Sequence, residues 1–141
     1  MVENDELRAN ETKVRVRYPE VDPQGVVHHG VYVDYIELGR TELLRAAGAP
    51  YCKLEDEGIR LVVTECRLRY LRPARYDDVI IVRTNVDRVT RVRIFLSYEI
   101  IVEASGELAC QASTTLAAVD EHGSPCLLSE RLTTALAQAQ S

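Results

Sequence analysis

No stretch of the 141-residue chain approaches the run of about 18 apolar residues that a membrane-crossing helix needs, so no span is expected. The four cysteines, Cys52, Cys66, Cys110 and Cys126, include no closely spaced pair of the zinc-site kind. Basic charge is also short: the net charge is −5, which argues against a general nucleic-acid binder. Only two of the 17 basic residues are lysine, Lys13 and Lys53. Arginine suits planar phosphate contacts, although composition alone accounts for the bias. Met1 to Lys13 is polar and lacks the apolar core of a secretory leader. The expectation is a reducing, cytoplasmic setting, with Cys66 and Cys110 as buried thiols in strand-like runs. Repeats and low-complexity segments are absent.

What remains is the material of one ordinary domain, able to bury roughly two-thirds of its unfolded surface without disulfides or metal. Residues 1–12 read as a flexible tail. Lys13–Tyr18 alternates, with Val14, Val16 and Tyr18 on one face and Arg15 and Arg17 on the other, which predicts a half-buried strand. Pro19 ends it. From about Gly30 to Ala47 the period becomes helical: Tyr32, Tyr35, Ile36, Gly39, Leu43 and Ala47 share one face. A glycine on that buried stripe invites close approach of a sheet, and Gly48 closes the helix. Ala49-Pro50 opens a short second helical turn that ends near Gly58.

Strands fill most of the rest. Ile59, Leu61 and Val63 share one parity; Cys66, Leu68 and Tyr70 share the other, so a β-bulge is expected near Thr64. Val79–Val86 is apolar on both sides at its start and reads as central. Val92 to Val102 and Leu108–Val119 alternate across a Ser105-Gly106-Glu107 turn. Residues 13–120 form the expected domain and 121–141 an extension, with Ser129–Gln140 either a short capped helix or a loose tail. The fold class is α+β. An unpaired sheet edge is an aggregation hazard, so a second copy is expected against it.

The segment Asp22-Pro23-Gln24-Gly25-Val26-Val27-His28-His29-Gly30-Val31-Tyr32 carries the chemistry. It sets a carboxylate on a tight turn just ahead of a helix start, where backbone N–H groups are unpaired and the dipole is positive. Such donors can polarise a carbonyl while the carboxylate attacks it or activates water. The alternative reading of Asp22 is a turn former. Side chains of adjacent His28 and His29 are expected to diverge, and the one remaining histidine is His122, so no metal site is expected. One of the pair should face a pocket and the other help terminate the helix. Glu37 reads as a partner for Arg40 or a solvated residue.

The element order and this segment resemble the hot-dog fold thioesterases, specifically the 4-hydroxybenzoyl-CoA thioesterase family, which includes small acyl-CoA thioesterases associated with the Tol–Pal envelope system. Glu37-x-Gly39-Arg40-Thr41-Glu42-x-Leu44-Arg45 and Tyr70-x-Arg72-Pro73-Ala74-Arg75-x-Asp77-Asp78 add to the resemblance. It implies a five-stranded antiparallel sheet wrapped around one long central helix. It implies hydrolysis of a small acyl- or aroyl-CoA without cofactor, with Asp22 as the catalytic carboxylate and the backbone N–H of His29 or its neighbour polarising the carbonyl. Gly25, Val27, His28, Tyr32, Val63 and Thr64 are the expected substrate contacts, with Tyr32 either pocket wall or core and Thr64 either facing the acyl group or structural. Arg72, Arg88 and Arg91 are weaker candidates for the CoA phosphates. The resemblance also implies dimers or tetramers with the site between protomers. A hydratase or dehydratase would need a different acid–histidine motif, and a non-catalytic acyl-CoA sensor would lack the carboxylate.

Overall fold

The computed structural model describes residues 10–139. In order come β1 (Asn10–Arg15), a 3₁₀ turn (Tyr18–Glu20), α1 (Val31–Ala46), α2 (Tyr51–Asp56), β2 (Arg60–Tyr70), β3 (Val79–Val89), β4 (Arg93–Val102), β5 (Leu108–Val119) and α3 (Glu130–Gln138). The strands make one antiparallel sheet in the order β1-β3-β4-β5-β2. The expected α+β architecture, a five-stranded sheet around a long helix, is the one observed.

Helix α1 buries Tyr32, Tyr35, Ile36, Gly39, Arg40, Leu43 and Leu44. Its packing against β3 depends on Gly39: a Cβ there would stand 2.5 Å from Thr84 Oγ1 and 2.7 Å from Val82 Cγ1. Overpacking of that kind costs about 1–3 kcal/mol, so the helix can lie this close to the sheet only through glycine. Ile80, Val82, Val86, Ile94, Leu96, Ile100 and Leu116 supply the sheet's side of the core.

Two boundaries differ from the sequence reading, and one open alternative is decided. Strand β1 begins at Asn10, so residues 10–12 are strand rather than tail, and residues 1–9 of the expected tail lie outside the described residues. Asn10, Glu11 and Thr12 carry no apolar alternation, yet their backbone pairs with Thr84, Arg83 and Val82. Tyr18 leaves the strand: the chain turns at Tyr18–Glu20, pinned by the Arg17 N–H donating to Glu20 Oε1 at 2.7 Å, and Tyr18 lies exposed, edge-on to Tyr76. Of the two readings for the C-terminal extension the capped helix is the one observed, as α3, where the Ser129 hydroxyl accepts the Leu132 N–H at 3.2 Å and Leu132 and Leu136 reach the core.

Strand β2 carries the expected bulge. Its register with β5 shifts between Val63 and Glu65, leaving Thr64 unpaired, its hydroxyl donating to the Thr115 carbonyl at 3.2 Å. After the shift Cys66, Leu68 and Tyr70 return to the inner face that Leu61 and Val63 occupy before it. Much of β2 is nonetheless exposed, with Val63 at 49% and Tyr70 at 48%. This corrects the expectation for Cys66: it lies on an edge strand of the sheet and is exposed. Cys110, one strand inward, is fully buried, and burial pushes its thiol up to about 11.

Candidate active site

The Asp22 turn is built from its own backbone. The Asp22 N–H donates to the Val26 carbonyl at 2.8 Å, and the Gly25 N–H donates back to the Asp22 carbonyl at 2.9 Å. Gly25 adopts φ +82°, which the turn demands and glycine tolerates without strain. One carboxylate oxygen, Asp22 Oδ1, accepts the N–H groups of Gln24 at 2.8 Å and Val26 at 3.4 Å. The turn-forming role is therefore real, but it occupies one oxygen. Oδ2 accepts no bond among the described residues, so the carboxylate is oriented and still available.

The following segment is laced to the β2–β3 connection. The Val27 N–H donates to the Ala74 carbonyl at 2.8 Å, Val26 bridges Arg75, and the His28 N–H donates to the Glu20 carbonyl at 2.9 Å. His28 Nδ1 accepts the Gly30 N–H at 3.1 Å, so His28 closes the turn into α1. The Val31 N–H donates to the His28 carbonyl at 3.0 Å. Between these, the His29 N–H finds no acceptor among the described residues, while the His29 carbonyl accepts the Tyr70 hydroxyl at 2.9 Å. The His29 peptide is thus held through its oxygen with its donor free, at the positive end of a 16-residue helix.

The two imidazoles do not diverge, as adjacency suggested. They stack with centroids 4.2 Å apart, because the bond to Gly30 folds His28 back over the turn. Among the described residues no group of three or more His, Cys, Asp or Glu side chains converges on a point where a metal could sit.

Asp22, Gly25, His28, His29 and Arg72 gather at one end of the molecule. Tyr70 joins them; the sequence signal for it was its place at the head of the Tyr70-x-Arg72-Pro73 motif. Two of the expected contacts are buried in the core. Val27 is 5% exposed and Tyr32 3%, the latter because its hydroxyl accepts the Ala74 N–H and Tyr35 and Tyr70 flank its ring. Glu37 is exposed and pairs with no Arg40; the Arg40 Nε donates to the Tyr51 hydroxyl at 2.8 Å instead.

The remaining candidates lie elsewhere. Val63 and Thr64 are at the other end of β2, roughly 20 Å along the strand from Tyr70 at about 3.3 Å per residue. Register places Val63 in one row with Leu116 and Ile94, beside the β3–β4 hairpin that holds Arg91. Arg88 lies at that end too, with its guanidinium 5.4 Å from the centre of the Phe95 ring. A single protomer therefore does not unite Asp22 with Val63, Thr64, Arg88 and Arg91.

Comparison with known proteins agrees with the geometry. The acyl-CoA thioester hydrolase YbgC of Escherichia coli O6:H1 is 33% identical over 107 residues, covering 76% of this chain and 79% of that protein. The DHNA-CoA thioesterase of Staphylococcus aureus superposes with TM-score 0.80 at 33% identity, covering 84% of this chain and 79% of the other. The TT1821 protein of Thermus thermophilus does so with TM-score 0.84 at 33% identity, covering 90% and 96%. The profile of the thioesterase-like superfamily matches residues 16–136. With that match over most of its length, on a hot-dog sheet and helix, the chain belongs to the thioesterase-like superfamily.

Proposed function

We propose that the protein hydrolyses a small acyl- or aroyl-CoA thioester to the free acid and CoA, with Asp22 as nucleophile or general base and the His29 N–H polarising the carbonyl. The observation that carries this reading is the pairing of a half-committed carboxylate with an unpaired amide across one short turn. A thioester carbonyl is already electrophilic and its thiolate leaves readily, so a single carboxylate and an oxyanion donor suffice. On the direct route, Asp22 attacks the carbonyl carbon, the C–S bond breaks, and water cleaves the resulting anhydride. On the other, Asp22 takes a proton from the attacking water. Neither route needs a cofactor.

The reading includes a second copy of the chain. Strand β2 is an 11-residue edge with an exposed inner face, and antiparallel pairing of two such edges would set the Val63 end of one copy beside the Asp22 end of the other. Val63, Thr64, Arg88 and Arg91 would then complete the partner's site, with Arg72 contributed by the chain that holds Asp22. Relatives named acyl-CoA thioester hydrolases support the choice of CoA as carrier. Four unpaired cysteines accord with a reducing, cytoplasmic setting; no helix among the described residues is long and apolar enough to cross a membrane.

The test is a panel of aliphatic and aromatic acyl-CoA thioesters assayed with a thiol-detecting reagent. Release of the CoA thiol from at least one member is the expected result and names the acyl class. No release from any member would overturn the proposal.

A further inference from the structure

Arg40 is the one charged side chain among the described residues that is buried, at 7% exposure. None of the ion pairs among the described residues involves it. Its hydrogen-bond partners there are neutral: Nε donates to the Tyr51 hydroxyl at 2.8 Å, and the Tyr98 hydroxyl is a second acceptor for the guanidinium. A guanidinium has five N–H donors, so two hydroxyl partners leave donors to spare. The Tyr98 hydroxyl also bonds Thr114 Oγ1 at 2.7 Å, so neither of the oxygens facing the guanidinium carries a charge. Burial penalises the charge, yet the Tyr98 and Tyr51 oxygens outweigh that penalty and the group stays cationic. A buried cation without a counter-charge is costly to keep, and it is strongly disposed to bind an anionic oxygen.

Its position gives that disposition a use. Arg40 is the tenth residue of α1, about 13.5 Å from the helix start at 1.5 Å per residue. The Tyr98 hydroxyl it faces bonds Thr114, the cross-strand partner of Cys66 on the inner face of β2, which sets Arg40 over the row that Cys66 belongs to. Two and four residues further along the same face come Leu68 and Tyr70, and Tyr70 holds the His29 carbonyl. The strip from Tyr70 to Cys66 is about 13 Å long, and Tyr70 and Cys66 at its two ends are exposed. A thioester carbonyl on the His29 amide would send its acyl group down this strip, with Arg40 at the far end.

Building on the thioesterase reading, we infer that Arg40 is a specificity determinant: it receives an anionic oxygen, such as a carboxylate, at the distal end of the acyl group. Octanoyl-CoA and ω-carboxyheptanoyl-CoA have the same carbon count and differ in that terminal group, which makes them the test pair. The wild type should favour the carboxylated thioester by at least about tenfold in kcat/KM, the range of a charge-assisted bond. Arg40→Met should bring that ratio to about one or below, and Arg40→Lys should keep part of it. A wild-type preference for octanoyl-CoA overturns the inference whether or not the variants fold. So does an unchanged ratio in Arg40→Met, with or without a loss of oligomer by light scattering, which would assign Arg40 to the fold or to a carboxylate of a second copy. Hydrolysis of octanoyl-CoA with no such preference sinks only the role of Arg40; hydrolysis of neither compound, nor of any panel member, sinks the thioesterase reading with it.

Discussion

At the scale of single residues, the chain concentrates its polar exceptions where α1 meets the sheet. Thr84 Oγ1 is buried with no hydrogen-bond partner, pressed against the space that Gly39 vacates. An unsatisfied buried hydroxyl costs about 1–3 kcal/mol, and valine has nearly the same shape. Thr84→Val should therefore raise stability by about 1 kcal/mol, read as a higher urea midpoint at unchanged slope; a lower midpoint would mean that the hydroxyl has a partner in solution. The Asp22 turn was legible in the sequence because its determinants are local: an Asx acceptor, a proline and a glycine free to take positive φ, all within four positions. The stacking of His28 on His29 was not legible. It depends on the bond to Gly30, whose geometry no spacing encodes.

At the scale of elements, hydrophobic parity carried the most information. The switch of apolar parity at Thr64 located a bulge because a one-residue insertion must move every later side chain to the other face. Parity failed at β1, whose first three residues have no apolar member, and it said nothing of the exposure of Cys66, which follows from strand order across the whole sheet. Helix α3 could be read as helix or tail from sequence, since nine residues are marginal alone. Its cap and its two buried leucines decide the matter. Ser129→Ala should cost about 1 kcal/mol of stability by removing the acceptor for the Leu132 N–H, measured by denaturant unfolding. A cost near zero would show that Leu132 and Leu136 hold the helix without the cap.

At the scale of the whole molecule, the expected contacts fall into two groups at opposite ends of the sheet. Asp22, Gly25, His28, His29 and Arg72 occupy one end; Val63, Thr64, Arg88 and Arg91 occupy the other. Pairing through β2 is the arrangement that would join them, and it would also cover an edge strand exposed on both faces. Val63→Asp places a charge on that edge at a site already half exposed in the protomer. The variant should fold, lose its oligomer by light scattering, and lose at least about tenfold in kcat/KM, since desolvating an unpaired carboxylate in an interface is unfavourable. Full activity in a monomeric Val63→Asp protein would place the whole site within one chain.

The central claim rests on the charge of one carboxylate. Asn at position 22 keeps the Oδ1 acceptor that closes the turn onto Gln24 and Val26, and removes only the charge. The most direct measurement is kcat/KM of wild type and Asp22→Asn on the best thioester of the panel, at matched folded concentration. A fall of at least about 10²-fold, on the scale of losing a general base, with an unchanged thermal midpoint is the predicted result. Equal rates in the two proteins would contradict the account and remove Asp22 from the chemistry.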